Sequence, residues 1–213
     1  RLFMKQVELS RGKICVTVNE HHPDWPLDQL LGFAERINPK RAFLFVSKVL
    51  GKHIPVAPSL MNRSYADLAA LVPKDVPFPA AVIGMAETAV GLGAGVHRAL
   101  SQTRDDSVYL CSSRHPTGSE LFARFEEEHS HASSHLLHLP QDAHTREMML
   151  NARSLVLVDD EASTGNTFIN LSRALAEAGL NSVERIVTTT LTDWSRDAVR
   201  KAMGDHVSSV SLL

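Results

Sequence analysis

The chain has 213 residues, of which 44% are hydrophobic and 22% charged, and its formal net charge is −2 at pH 7. This composition suffices for one full hydrophobic core and excludes a chain that is disordered throughout. The small net charge provides no overall attraction for nucleic acid or for an anionic membrane, so we expect a small-molecule ligand instead. The two cysteines, Cys15 and Cys111, form neither a disulfide framework nor a metal-ligand spacing. Together with the lack of any apolar run of membrane-spanning length, they predict a cytoplasmic protein with no membrane partner.

The first part of the chain contains short and mixed elements. The stretch KICVTV at 13–18 predicts a strand, and apolar residues spaced as on one helix face predict a helix that ends before Pro39: Leu27, Leu30, Leu31 and Ala34. An apolar strand follows in NPKRAFLFVSKVLGKHIPV, where four basic residues, including Lys48, flank it. Prolines bracket a further helix near 62–72. We expect residues 1–75 to form a small N-terminal hood over a core of residues 76–213.

The core alternates between strands and helices. Residues 80–83 predict a buried strand, 84–88 a loop of small residues and 90–100 a helix whose glycines allow close packing on a sheet. The glycines resemble a dinucleotide-binding fingerprint only weakly, because they lie too far past the strand. Strands near 82, 108, 156 and 187 with helices between them predict an α/β fold with a mainly parallel twisted sheet and helices on both faces.

The most informative stretch is LVLVDDEASTGNT at 155–167. Its apolar residues predict a buried strand, and a helical apolar pattern resumes at Phe168, so the segment is a strand, a loop and a helix. Ligands collect at the carboxyl edge of such a strand, where loop amides and the helix N-terminus favour a phosphate monoester. Asp159 and Asp160 would repel that phosphate and instead suit vicinal sugar hydroxyls. A capped helix with solvated acids is the simpler alternative, but it does not explain the acid pair. The pattern therefore indicates a ribose 5-phosphate ligand.

This stretch resembles the phosphoribosyl-pyrophosphate (PRPP) motif of type I phosphoribosyltransferases over all 13 residues. The resemblance implies that Asp159 and Asp160 bind the ribose hydroxyls. It also implies that the loop binds the 5′-phosphate through Ala162, Ser163, Thr164, Gly165, Asn166 and Thr167. Glu161 stands where the family commonly has an apolar residue, which leaves its role open.

The same resemblance assigns a pyrophosphate-binding loop to the second strand-loop-helix. By position, Ala86, Glu87 and Thr88 fill this loop, with backbone amides as donors. Glu87 is unusual beside an anion, so it either points away, meets Mg²⁺ through water or contacts the acceptor. Lys48 is a candidate to cover the acceptor and the pyrophosphate, as in orotate-type members; the alternative is that its charge marks a solvated face.

After the third strand, Tyr109 and Arg114 match the family order of an aromatic residue followed by basic ones, although the usual lysines after the arginine are absent. The resemblance then implies a mobile loop over the site, from Pro116 to about Ser134. It carries histidines, including His129, His131 and His135, for which three alternatives stand. They could replace the missing lysines as donors to pyrophosphate, or they could be solvated. If the segment is helical, His131, His135 and His138 share one face and could hold a transition metal.

Beyond these loops, Trp194 either stacks on the acceptor base or caps the core. Taken together, NPKRAFLFVSKVLGKHIP, VIGMAETAVGLGAG, EEEHSHASSH and VDDEASTGNT make nearly the whole chain resemble the phosphoribosyltransferase of bacterial tellurite-resistance gene clusters. The resemblance implies Mg²⁺ bound through PRPP and water with no direct protein ligand, a base-like acceptor and a homodimer. It also implies catalysis by Asp159, Asp160 and Arg114. A PRPP-binding regulator without chemistry and an interaction protein with a vestigial site are the competing functions.

Overall fold

The computed structural model describes residues 3–10, 12–35, 43–51, 54–127 and 134–213. Its centre is a five-stranded sheet in the order β11-β10-β9-β5-β6, in which every neighbouring pair is parallel. The strands are β5 (Ala80–Gly84), β6 (Ser107–Cys111), β9 (Ser154–Ala162), β10 (Arg185–Asp193) and β11 (Val207–Ser211). This α/β architecture confirms the predicted fold class.

The central strands are buried because their sequences are almost entirely apolar or small. Residues 80–84 of β5 and 154–158 of β9 are buried throughout, as expected for strands covered on both sides of a parallel sheet. Val82 pairs with Val156, and Val156 pairs with Val187 of β10. The apolar edge strand β11 was not predicted, although it extends the sheet beside β10.

Six helices accompany the strands in the described ranges: α1 (Leu27–Leu30), α2 (Pro58–Leu71), α3 (Val90–Ser101), α4 (Ala143–Leu150), α5 (Asn166–Glu177) and α6 (Ala198–Met203). Helix α3 packs on β5, β6 and β9. A Cβ built on Gly93 would lie 2.9 Å from the Cα of Gly84, so the helix approaches the sheet closely only because both residues are glycine. The prediction that these glycines serve packing is consistent with this contact.

The N-terminal region contains two antiparallel hairpins, β1 (Phe3–Leu9) with β2 (Gly12–Val18), and β3 (Leu31–Glu35) with β4 (Phe43–Ser47). The predicted helix over Leu27–Ala34 is wrong beyond Leu30, because residues 31–35 pair with residues 43–47 as a strand. The apolar residues that looked helical therefore serve two elements. Helix α2 packs against α3, and the division of the chain at residue 75 stays a prediction.

A third hairpin begins inside the segment from Pro116 to about Ser134 that was predicted to be a loop. Strand β7 (Leu121–Glu126) pairs antiparallel with β8 (Ser134–His138), and β7 packs against α5. The loop prediction is wrong for 121–126 because Ala123 and Phe125 alternate with exposed residues and are buried. None of the helices in the described ranges is long and apolar enough to cross a membrane.

Candidate active site

The paired acids lie at the carboxyl edge of the central sheet. Leu155 to Val158 of β9 are each at most 2% exposed, while Asp159 and Asp160 at the end of the strand are half-buried. The N–H of Met85, just after β5, donates to the Val158 carbonyl at 3.0 Å. This contact places the loop after β5 beside the acid pair. Two neighbouring parallel strands thus deliver their loops to one point, where α/β proteins bind ligands.

The acid pair is electrostatically costly without a ligand. The N–H of Asp160 donates to Asp159 Oδ1 at 2.8 Å, which holds the two carboxyl groups side by side. Burial, and then the charge of Asp160, raises the pKa of Asp159 well above its usual range, and Glu127 adds to this effect. A pair with this much uncompensated negative charge favours ligand groups that donate hydrogen bonds or carry positive charge.

The loop after β9 has the geometry of an anion-binding helix start. Gly165 has φ of 81°, and α5 begins at Asn166, whose N–H donates to Thr164 Oγ1 at 3.2 Å. A Cβ on Gly165 would lie 2.6 Å from Val199 Cγ2, so the loop is packed tightly against α6. The first amides of a helix have no carbonyl acceptor within the helix and therefore suit phosphate oxygens.

The loop after β5 forms a second wall of the same cavity. The peptide bond between Ala86 and Glu87 is cis, and the N–H of Ala86 donates to Ser112 Oγ at 2.8 Å. Met85, Ala86 and Thr88 line the cavity, whereas the exposed Glu87 does not. The structure therefore brings two of the three predicted pyrophosphate-loop residues to the acid pair.

The third wall comes from Arg114 and the β7–β8 hairpin. Arg114 Nη2 donates to Glu127 Oε2 at 2.8 Å, and His135 Nε2 lies 3.6 Å from the same oxygen. Burial would raise the pKa of Glu127, but the hydrogen bond and charge of Arg114, helped by His135, lower it below its usual value. Glu127 is thus an ionised carboxylate in this wall, paired with a guanidinium.

These walls enclose one cavity of about 120 Å³. It contains most of the predicted site and three residues, Met85, Glu127 and Phe168, that were not predicted as site residues. Its lining is Met85, Ala86, Thr88, Arg114, Glu127, His135, Asp159, Asp160, Glu161, Ala162, Ser163, Gly165, Thr167 and Phe168. The alternation in LFARFE was the signal that could have placed Glu127 at the end of a strand beside the site.

Several predicted site residues lie outside this lining. Thr164 in the loop and Asn166 at the start of α5 are not among the residues that line the cavity, and Lys48 Nζ donates to the Asp28 carbonyl at 2.7 Å. His129 and His131 lie outside the described residues. His135 and His138 are in a strand, so the helical spacing that would have joined them in a metal site is absent from the described part of the chain.

Trp194 lies at a different concavity. Its ring stacks on Phe45, with centroids 4.6 Å apart and planes at 24°. Its backbone N–H donates to the Ala162 carbonyl at 2.7 Å. It lines a larger cavity of about 970 Å³ together with residues 15–20 of the N-terminal hairpin. Its indole N–H is buried and has no hydrogen-bond partner among the described residues. Trp194 therefore connects the two regions, with its ring on Phe45 of the N-terminal region and its backbone on Ala162 at the end of the acid-bearing strand.

A group of metal-type side chains occurs elsewhere: His22, Asp24 and Asp67. None of the three lines the cavity with the acid pair. Their placement follows from protein contacts, since Trp25 Nε1 donates to Asp67 Oδ2 at 2.7 Å and the N–H of Asp24 donates to His22 Nδ1 at 3.2 Å. The cavity itself offers carboxylate oxygens, the ligand type that hard divalent cations prefer.

The fold and the cavity define an α/β protein whose candidate site lies at the carboxyl edge of a parallel sheet, where such proteins bind ligands. A family model described as "Phosphoribosyl transferase" matches residues 30–213, so the chain belongs to the phosphoribosyltransferase family. It is therefore a phosphoribosyltransferase, an enzyme. No curated protein sequence matches the chain.

Solved adenine phosphoribosyltransferases share the fold. The enzyme of Saccharomyces cerevisiae is 15% identical, with 88% of this chain and 96% of that chain covered and a TM-score of 0.58. The enzyme of Leishmania tarentolae is also 15% identical, with 88% and 84% covered and a TM-score of 0.60. The Trypanosoma brucei enzyme, solved with AMP, pyrophosphate and ribose-5-phosphate, is 14% identical, with 90% and 80% covered and a TM-score of 0.58.

Proposed function

We propose that this protein transfers the ribose 5-phosphate group of PRPP to a nitrogenous base or base-like acceptor and releases pyrophosphate. The single observation that carries the proposal is the cavity in which Asp159 and Asp160 meet the loops after β5 and β9. One loop has the helix start suited to a phosphate, and the acids need hydrogen-bond donors such as a sugar diol. Membership of the phosphoribosyltransferase family supports the same reaction.

Within this proposal, Asp159 and Asp160 accept hydrogen bonds from the ribose 2′ and 3′ hydroxyls. Residues 162–167 bind the 5′-phosphate, and Ala86 and Thr88 bind pyrophosphate. The C1–oxygen bond breaks with its electron pair leaving on pyrophosphate, and an acceptor nitrogen supplies the pair for the new C1–N bond. The acids stabilise the positive charge that develops on the ribose, and Arg114 lies where it stabilises the negative charge of the leaving group.

The acid-rich cavity also fits Mg²⁺. Burial and the charge of Asp160 raise the pKa of Asp159, so its carboxylate gains from a nearby cation, and hard oxygen donors suit this ion. Asp159 and Asp160 would hold a Mg²⁺ ion that accompanies PRPP, through its water ligands, and the ion would supply positive charge beside the leaving pyrophosphate. No protein side chain needs to bind it directly.

Finer assignments rest on the sequence resemblance. We propose that the protein acts in the cytoplasm as a homodimer, in a stress or nucleoside-like biosynthetic pathway of the kind encoded in tellurite-resistance gene clusters. The acceptor side is proposed to include Trp194, whose backbone N–H donates to the carbonyl of Ala162 at the end of the acid-bearing strand. Light scattering of the purified chain tests the dimer.

The reaction is tested by incubating the protein with Mg²⁺, PRPP and a panel of purine and pyrimidine bases and base-like acids, while pyrophosphate release is followed. We expect release that depends on one acceptor class and on Mg²⁺. PRPP binding without turnover on any acceptor would instead support the regulatory module. Failure to bind PRPP at all would contradict the proposal.

A further inference from the structure

Behind the cavity, two buried polar side chains connect walls that come from separate parts of the chain. Ser112 follows β6 and is 2% exposed, and His135 in β8 is 1% exposed. Ser112 Oγ lies 2.9 Å from His135 Nδ1 and 2.8 Å from the Ala86 nitrogen. Buried polar groups are costly unless they are paired, so this contact is held at the expense of apolar packing.

The donors and acceptors in this series of hydrogen bonds have one possible order. The Ala86 amide can only donate, so Ser112 Oγ accepts, and the serine hydroxyl is then available to donate to His135 Nδ1. A neutral imidazole that accepts at Nδ1 carries its proton on Nε2. That nitrogen has no hydrogen-bond partner among the described residues and faces Glu127 Oε2 at 3.6 Å. This series of contacts thus ends at the Glu127 carboxylate, whose Oε2 also accepts a hydrogen bond from Arg114.

The surroundings of His135 favour its neutral imidazole. Burial and then the charge of Arg114 lower the pKa of His135, while Glu127 and Glu126 oppose them in part. The imidazole also stacks on Phe125, with centroids 4.9 Å apart and planes at 11°, which fixes the ring plane. The orientation of His135 is therefore determined by packing as well as by hydrogen bonds.

Ser112, His135 and Glu127 have the residue types of a hydrolytic triad, but the geometry excludes that use. Ser112 does not line the cavity, is buried and already accepts from the Ala86 amide. A nucleophile must reach a substrate atom, and this hydroxyl is directed into the protein. The arrangement can hold the loop after β5, which is where Ala86 lines the cavity.

We propose that His135 is a positioning residue that couples the loop after β5 to the β7–β8 hairpin, so that the Ala86 side and the Arg114 side of the pyrophosphate pocket are held in one geometry. This role differs from the direct donor role that the sequence suggested for His135. The inference rests on the proposed function for the identity of the ligand. The coupling itself rests on the contacts of the ligand-free protein.

The coupling is measured first without ligand, by hydrogen exchange at the Ala86 amide. Ser112→Ala removes the acceptor of the Ala86 amide, and His135→Leu removes the side chain that holds this acceptor. In both variants we expect the Ala86 amide to exchange about tenfold faster. His135→Asn keeps an acceptor near the position of Nδ1, and we expect exchange within about threefold of wild type. His138→Asn on the same strand is the matched control and should change nothing. Equal exchange in Ser112→Ala and wild type would overturn the coupling, and this variant decides the matter if His135→Leu does not fold.

Ligand binding is measured by calorimetry with Mg²⁺-pyrophosphate and, separately, with ribose 5-phosphate. In Ser112→Ala we expect about tenfold weaker pyrophosphate binding, with ribose 5-phosphate changed by less than about twofold. Equal losses for both ligands would indicate a general structural defect and contradict a positioning role. If wild type binds neither ligand, the proposed function and the ligand part of this inference are wrong, whereas the exchange measurement still decides the coupling.

Discussion

The cavity has two kinds of wall, and they differ in how the sequence encodes them. The wall from Asp159 to Phe168 is one continuous strand, loop and helix start, so its parts are neighbours in the chain. The opposite wall joins Arg114, Glu127 and His135, which meet only after β7 pairs with β8. The first wall is therefore fixed by local structure, whereas the second depends on tertiary contacts.

This difference also separates their chemistry. The continuous wall combines two acids with an anion-binding helix start, and we propose that it binds the ribose and its phosphate. The assembled wall contains a guanidinium held by a carboxylate, and we propose that it faces the leaving pyrophosphate. Substitutions in the two walls should consequently affect different ligands and different steps.

The largest expected effect comes from the acid pair. Asp160→Asn should lower turnover by about 100-fold or more, because one charge that stabilises the positive ribose is lost. Unfolding stability should change little, since this half-buried carboxylate lies at the mouth of the sheet. Initial rates of pyrophosphate release and thermal unfolding measure the two effects. Asp106→Asn, in an exposed ion pair with Arg104, is the control. Unchanged turnover in Asp160→Asn would remove the continuous wall from catalysis.

The next effect tests the assembled wall. Arg114→Ala should cost on the order of 2–4 kcal/mol of transition-state stabilisation, as expected for one preorganised donor. It also leaves Glu127 without its guanidinium partner. The ratio of kcat/KM between variant and wild type gives the value, and Arg104→Ala serves as the exposed-arginine control. An effect below about 0.5 kcal/mol would show that Arg114 only supports the hairpin.

A glycine pair sharpens the comparison at the level of the backbone. Both glycines have a positive φ, 81° at Gly165 and 85° at Gly118. The Cβ of Gly165→Ala would lie 2.6 Å from Val199 Cγ2, whereas the Cβ of Gly118→Ala would have open space around it. Both substitutions carry a backbone cost of about 1 kcal/mol, and Gly165→Ala adds a clash. We expect weaker ribose 5-phosphate binding and a larger loss in unfolding free energy only for Gly165→Ala. Denaturant unfolding and calorimetry check this, and equal losses in both variants would contradict it.

The smallest expected effect is on the pH dependence of stability. An acid in each wall should change the free energy of unfolding with pH in opposite directions. The pKa of Asp159 is raised in the folded protein. The contribution of this group to the free energy of unfolding is therefore present below its unfolded pKa and is lost as pH rises through its folded pKa. The pKa of Glu127 is lowered, so its contribution is present above its unfolded pKa and is lost as pH falls through the folded value. Asp159→Asn should therefore flatten the decline in stability toward neutral pH, and Glu127→Gln should flatten the decline toward acid. Denaturant midpoints between about pH 4 and about pH 8 measure both slopes. Identical pH profiles in both variants and wild type would contradict these directions.

The predictability of each region follows from the range of its contacts. The strands around 82, 108, 156 and 187 were predicted because buried parallel strands are short, apolar runs. Strand β3 was misread as a helix because its apolar residues Leu31 and Ala34 also fit a helical spacing, and only pairing with β4 decides between them.

The same reasoning explains the outcome at the site. Asp159, Asp160, Ala86 and Thr88 follow strands of the central sheet, and parallel strand ends converge, so their meeting could be expected. The presence of Glu127 and Ser112 at the site could not be expected, because their positions depend on the register of β7 with β8 and on the turn after β6. Lys48 was assigned by resemblance, and its contact with the Asp28 carbonyl depends on the β3–β4 hairpin.

Backbone hydrogen exchange with and without PRPP and Mg²⁺ tests most directly whether the two loops and the acid pair form the PRPP site. We predict slower exchange at residues 85–88 and 162–167, where amides would donate to pyrophosphate and to the 5′-phosphate, and no change at residues 12–18 of the N-terminal hairpin. Protection confined to the hairpin, or no protection at all at saturating PRPP, would contradict the assignment of the site.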